Sequence, residues 1–151
     1  MSTRQVSDSN DPVIENITQL VEPMAGGEKP KDRWRIGTEH EKFVYCTNDH
    51  HAPSYDEPGG IKDLLLAMRE FGWQPVEEGG KVIAMSGSDG AISLEPAGQL
   101  ELSGAPLENL HETCNETGRH LQQVKAIGQK TGKGFLGMGM WPDKTRAELP
   151  I

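Results

Sequence analysis

Ile92-Ser93-Leu94-Glu95-Pro96-Ala97-Gly98-Gln99-Leu100-Glu101-Leu102-Ser103-Gly104-Ala105-Pro106 alternates apolar and polar side chains on both sides of a Pro-Ala-Gly bend. A period of two marks strands with one buried face, so 91–95 and 99–103 are expected to be strands joined by that bend. Leu100 and Leu102 then face one side of the sheet and Glu101 the other. Arg35-Ile36-Gly37-Thr38-Glu39-His40-Glu41-Lys42-Phe43 carries the same device. Glu39 and Glu41 lie two apart, so on an extended strand both project from one face, with Cβ atoms roughly 6.5–7 Å apart. Carboxylates gathered on one sheet face repel each other unless a cation joins them. Hard oxygen ligands of this kind suit Mg²⁺ or Mn²⁺.

Outward from these stretches, Val13, Ile14, Ile17, Leu20 and Val21 are spaced for a short amphipathic helix, with Asp11 as N-cap and Pro12 at its first position. Residues 23–32 are expected to be a flexible connector, and a strand to run over 34–46. A loop with His50 and His51 leads to a helix over 60–71, stopped by Gly72. Strands follow at 73–77 and 81–86, and Ser88-Asp89-Gly90 is a hairpin turn. Leu107, Leu110, Cys114, Thr117, Leu121, Val124 and Gly128 predict a buried stripe on a long helix over 106–130. Residues 134–140 complete the set as a Gly-rich buried strand. The expected fold class is α+β, a mostly antiparallel sheet with flanking helices.

Composition narrows the function. The 151 residues amount to one domain or part of one. Mean hydropathy is −0.59 and the net charge −8, which argues against a nucleic-acid partner needing a basic face. No apolar run approaches the roughly 20 residues that span a bilayer. The first ten residues are polar, read as disordered, and lack a signal-peptide core. Two cysteines, Cys46 and Cys114, are too few for a secreted disulfide framework, though they could pair if close. A cytoplasmic location is the expectation.

Read from the residues alone, Glu39 and Glu41 could be solvent-facing strand positions balanced by Arg35 and Lys42; Phe43 and Tyr45 on the same face suggest instead that this side is covered. Glu95, at a strand end, could reach Glu101 across the bend or simply end a hairpin strand. Gln99 and Ser103 share the face of Glu101 and could donate to substrate or to solvent. His50 and His51 are read as a surface loop, because adjacent histidines rarely serve one ion and no zinc spacing of Cys or Asp flanks them. His111 and His120 are expected to be solvated, and Cys114 to be a small core residue. Gly137-Met138-Gly139 lacks the Lys-Ser/Thr ending of a phosphate loop.

The two acidic stretches, with Pro106-Leu107-Glu108-Asn109-Leu110-His111-Glu112-Thr113-Cys114 and Gly134-Phe135-Leu136-Gly137-Met138-Gly139, closely resemble the plant-type and proteobacterial glutamate–cysteine ligases, from about Trp34 to the end of the chain. The resemblance implies ligation of L-glutamate to L-cysteine with ATP as cofactor, the first step of glutathione biosynthesis, on a fold like that of glutamine synthetase. It further implies that Glu39, Glu41 and Glu101, with Glu95 as a fourth candidate, hold the Mg²⁺ ions of ATP, with no residue here acting as a general base. Because such ligases are much longer, residues 11–151 are expected to be the truncated amino-terminal part of one catalytic domain, inactive alone. Two alternatives stand beside it: another ligase of the superfamily, such as that of the ergothioneine pathway, and an inactive metal-binding or interaction fragment.

Overall fold

The computed structural model describes residues 13–88 and 90–149. The amino-terminal stretch read as disordered, with Asp11 and Pro12, lies outside them. The chain divides into two compact units, residues 1–35 and 36–151.

In the first unit, helix α1 spans Thr18–Gly26 and contains Pro23, so it lies further along the chain than the apolar spacing predicts. Its start is pinned locally: Gln19 Oε1 accepts from the Glu15 and Asn16 amides, and Asn16 Oδ1 accepts from the Gln19 amide at 3.2 Å. Of these donors the Gln19 amide lies in the first helical turn, whose amides have no partner within the helix. Helix α1 buries none of its residues.

The second unit is built on six strands: β1 Glu39–Cys46, β2 Gln74–Glu78, β3 Lys81–Gly87, β4 Gly90–Glu95, β5 Gln99–Gly104 and β6 Lys133–Leu136. They lie in the order β2-β3-β4-β5-β1-β6, every neighbouring pair antiparallel. Helices α2 (Ile61–Ala67) and α3 (Leu110–Thr131) pack on the sheet. The α+β class and the antiparallel sheet expected from the sequence are therefore present. The core lies on the helix-covered face, where Val44, Met85, Ile92, Leu100 and Leu102 meet Leu64 and Leu65 of α2 and Val124 and Ile127 of α3. Burying a side chain of this size contributes about 1.5–3 kcal/mol.

Several boundaries differ from the periodicity. Strand β1 starts at Glu39, since Ile36 makes only an isolated bridge, exchanging amide bonds with Leu107 at 2.7 and 2.8 Å. That bridge ties Leu107 to Ile36 ahead of the helix, and α3 begins at Leu110, where Asn109 Oδ1 accepts from the amides of His111 and Glu112. The buried face of α3 runs through Glu116, His120, Val124, Ile127 and Gly128. Leu110 and Cys114 are exposed and His120 is buried, the reverse of the expectation. The first half of the buried face is polar, so a search for apolar periodicity settles on the wrong stripe.

Turn chemistry holds the meander together. Gly90, at φ 116, opens β4 where a Cβ would stand 2.2 Å from the Ser103 carbonyl oxygen on β5. A non-glycine residue at such a φ costs 1–3 kcal/mol before any clash. Gly90→Ala is therefore expected to lower the unfolding free energy by at least ~2 kcal/mol in urea titrations. An unchanged midpoint would show that β4 and β5 part without cost.

Candidate functional site

The register of β1 on β5 builds the site. Glu41 stands directly opposite Glu101, and Glu39 opposite Ser103. On β4, Ser93 stands opposite Glu101 and Glu95 opposite Gln99. Directly paired residues share a sheet face, so Glu39, Glu41 and Glu101 lie together on the side away from the core. Opposed Cβ atoms in an antiparallel pair are about 4.5–5.5 Å apart, and like charges placed so destabilise the pair.

Two polar neighbours orient these carboxylates. Gln99 Nε2 donates to Glu41 Oε2 at 3.0 Å and to the Met138 carbonyl at 3.2 Å. Ser103 Oγ donates to Glu101 Oε1 at 2.7 Å. These are the two side chains that sequence reasoning left open between substrate and solvent; each binds a carboxylate. Glu101 is only 5 % exposed, while Glu39 and Glu41 are open. Beyond them residues 137–139 leave β6 and, with Glu39, His40 and Glu41, line an open hollow of about 320 Å³. Further along β1, Trp141 covers Phe43, ring centroids 5.0 Å apart, so this part of the face is covered as expected. Glu95 reaches a different hollow, of about 250 Å³, with Tyr55, Lys81 and Pro96. Of the two cations expected to balance Glu39 and Glu41, Lys42 points to the opposite face, while Arg35 Nη1 donates to the Asp32 and Trp34 carbonyls within its own unit.

Do these residues suit a divalent cation? Mg²⁺ keeps several waters and takes one or two carboxylates plus substrate phosphates, not a closed protein cage. The array is open in that sense: its three carboxylates share a face without converging on one point. The buried Ser93 hydroxyl, paired with Glu101 across the strands, has no hydrogen-bond partner among the described residues. Opposed carboxylates beside a spare buried hydroxyl are the donor set a hydrated hard cation takes.

Behind the acidic face lies a buried polar layer that sequence reasoning missed. Lys42 is fully buried, and its Nζ donates to the His40 carbonyl at 2.7 Å. Burial pulls its ammonium down to about 8, against the opposing pull of Glu101. His120 of α3 lies edge-on to His40, centroids 6.4 Å apart. Burial, aided by the Lys42 and His40 charges, brings the His120 imidazole down to about 3. Beside it Glu116 Oε1 accepts from the Ala105 amide at 2.8 Å, tying α3 to the end of β5. The signal available in the sequence was the polar run on α3 at 116 and 120, in register with the apolar 124 and 127.

Comparison with known proteins now bears on this geometry. The family model of glutamate-cysteine ligase family 2 (GCS2) matches residues 35–151. The chain belongs to this family. It is 49% identical over 132 residues to a glutamate–cysteine ligase of Brassica juncea, covering 87% of this chain and 25% of that protein. It is likewise 44% identical over 150 residues to glutamate–cysteine ligase A of rice, Oryza sativa subsp. japonica, covering 93% and 30%. With the Arabidopsis thaliana ligase the identity is 49% over 133 residues. The chain thus spans 25% to 30% of the length of these relatives. The resemblance read from the motifs is confirmed. The relatives are named as chloroplastic, which overturns the expectation of a cytoplasmic protein. That expectation rested on few cysteines and a polar start, which do not tell one reducing compartment from another. Among the described residues no helix is long and apolar enough to cross a membrane.

The buried imidazole has a measurable consequence. His120 binds a proton below about 6.5 when unfolded but stays neutral in the fold down to about 3. The unfolded state thus holds the extra proton between these limits, and stability falls as pH drops through the window. The loss is at most 1.36 kcal/mol per pH unit from this group. His120→Gln is expected to remove it, so the stability difference between wild type and variant should shift against wild type from pH 7 to pH 4 in urea titrations. Parallel pH profiles would show that His120 takes up its proton in the folded state.

Proposed function

We propose that this chain supplies the cation-binding sheet face of an ATP-dependent ligase that joins the γ-carboxylate of L-glutamate to the amine of L-cysteine, giving γ-glutamylcysteine. The observation that carries the reading is the opposition of Glu41 and Glu101 across β1 and β5, within a chain of the glutamate–cysteine ligase family. The proposed wider fold is glutamine-synthetase-like, its antiparallel sheet curved around the reaction centre.

In the proposed reaction a γ-carboxylate oxygen of glutamate attacks the γ-phosphorus of ATP. The bond to the β,γ-bridging oxygen breaks, leaving ADP and γ-glutamyl phosphate. The cysteine amine then attacks the acyl carbon, phosphate departs, and the amine loses a proton. Bound Mg²⁺ supplies neutralisation of the triphosphate and of the transferring phosphoryl group. The work of this chain's residues is positional. Glu39, Glu41 and Glu101 hold the cations, while Gln99 and Ser103 fix two of the carboxylates so that little reorganisation is needed. The hollow beside residues 137–139 opens onto the carboxylates of Glu39 and Glu41, leaving room for phosphate oxygens to complete the coordination.

Manganese as a paramagnetic substitute tests the reading directly. The 151-residue chain should deplete the free Mn²⁺ resonance signal, and Glu101→Gln should weaken that binding at least about tenfold, because the variant keeps shape but removes one charge. In the ligase carrying residues 35–151, the same change should lower kcat about 10²-fold and raise the Mg²⁺ concentration for half-maximal rate. A contact to an amino-acid substrate would instead show mainly in KM. Near-normal rate and Mg²⁺ dependence would reduce the acidic face to surface decoration.

A further inference from the structure

At the far end of β1, five residues and about 17 Å along the strand from Glu41, three unlike ligand atoms meet. Cys46 Sγ lies 3.3 Å from His51 Nε2 and 3.9 Å from Glu57 Oε1, and His51 Nε2 lies 3.3 Å from Glu57 Oε1. We propose that Cys46, His51 and Glu57 form a zinc-class metal site, separate from the acidic face, with solvent in the fourth position.

The spacing itself is the first argument. With Zn–S near 2.3 Å and Zn–N and Zn–O near 2.0–2.1 Å, a tetrahedron has edges of about 3.5 Å from sulfur to nitrogen or oxygen and about 3.3 Å from nitrogen to oxygen. The three observed separations lie within about 0.4 Å of those edges. As a hydrogen bond the 3.9 Å contact is marginal; as a tetrahedral edge it is about 0.4 Å long, which a small side-chain movement closes.

Orientation is the second argument. His51 Nδ1 is engaged by Asp49 Oδ1 at 2.7 Å, which leaves Nε2 aimed at the cluster. A carboxylate behind a ligating imidazole is the usual outer support of such sites. Glu57 Oε2 accepts from the Ser54 amide at 2.9 Å, leaving Oε1 forward. The loop is closed by the Cys46 amide donating to the His51 carbonyl at 2.9 Å and the His50 amide to the Cys46 carbonyl at 2.8 Å. His50, at φ 62, turns its ring toward Tyr45 and takes no part. Adjacent histidines therefore do not share the ion; the partners come from five residues before His51 and six after. That is why scanning for a zinc spacing reads this segment as surface loop.

Thiolate and imidazole select a borderline cation such as Zn²⁺ over Mg²⁺. Binding displaces the Cys46 thiol proton to solvent, so affinity rises with pH. The charged groups facing the site are Asp49, Glu57 and Lys133, whose Nζ is 4.0 Å from Glu57 Oε1. The dication replaces that ammonium at the oxygen. The ion would clip the end of β1 to the segment that enters α2.

Cobalt(II) is the probe, because its bands report both thiolate ligation and tetrahedral geometry. The reduced, metal-free 151-residue chain should bind one equivalent of Co²⁺ with a thiolate-to-cobalt charge-transfer band, bleached by one equivalent of Zn²⁺. His51→Ala and Glu57→Gln alter exposed or half-buried side chains, and each should weaken Co²⁺ binding at least about tenfold. Cys114→Ser and Glu101→Gln should leave the band and its affinity intact, which separates this site from the acidic face and its fate. Absence of a thiolate band at equimolar cobalt, wild-type affinity in both His51→Ala and Glu57→Gln, or loss of the band in Cys114→Ser would overturn the proposal.

Discussion

The pairing register of β1 on β5 is the constraint on which the rest depends. A slip of one residue would send either Glu39 and Glu41 of β1 or Glu101 of β5 into the core, according to which strand moved. Leu100 and Leu102 prevent that slip, because both are nearly inaccessible in the core beneath α2 and α3. The apolar face thus does the folding work and, by strict alternation, forces the acidic face to exist. Opposing Glu41 to Glu101 costs stability, a cost that the proposed bound cation would offset.

The helix side of the same strands carries a compensating arrangement. A buried ammonium at Lys42 lies within reach of the Glu101 field, and the imidazoles of His40 and His120 are both pulled down, first by burial and then by the Lys42 charge. The sheet is therefore negative on its open face and holds one buried cation behind it. Because Glu116 bonds the Ala105 amide just past β5, movement of α3 and placement of Glu101 are mechanically linked. Gly104 allows the approach: a Cβ there would stand 2.2 Å from Glu116 Oε2.

Alternation made the sheet and the acidic face legible, since period two is unambiguous in the stretches around Glu101 and Glu41 and the turns carry Gly79, Gly80, Gly90 and Gly98 at positive φ. Helix α3 was legible in extent but not in rotation. Its inward face is half polar at Glu116 and His120, and hydrophobic patterning cannot see a buried side chain held by electrostatics and hydrogen bonds. The roles of Gln99 and Ser103 were hidden for a related reason, because alternation names the face of a residue and not its partner. Helix α1 departs most, since apolar spacing at 13–21 marks no packed helix where the described residues bury none of that stripe. The Cys46, His51 and Glu57 cluster needs a loop closure that no local pattern announces.

The opposed pair can be tested apart from catalysis by measuring unfolding free energy with and without Mg²⁺. A ligand that binds only the folded state adds RT ln(1 + [L]/Kd) to stability. In chelator, Glu101→Gln should be at least as stable as wild type, because one of the two facing charges is gone. In saturating Mg²⁺, wild type should gain stability and Glu101→Gln should gain little or none, reversing their order. Equal responses to Mg²⁺, or a Glu101→Gln chain less stable than wild type in chelator, would contradict the claim that a cation reconciles Glu41 with Glu101.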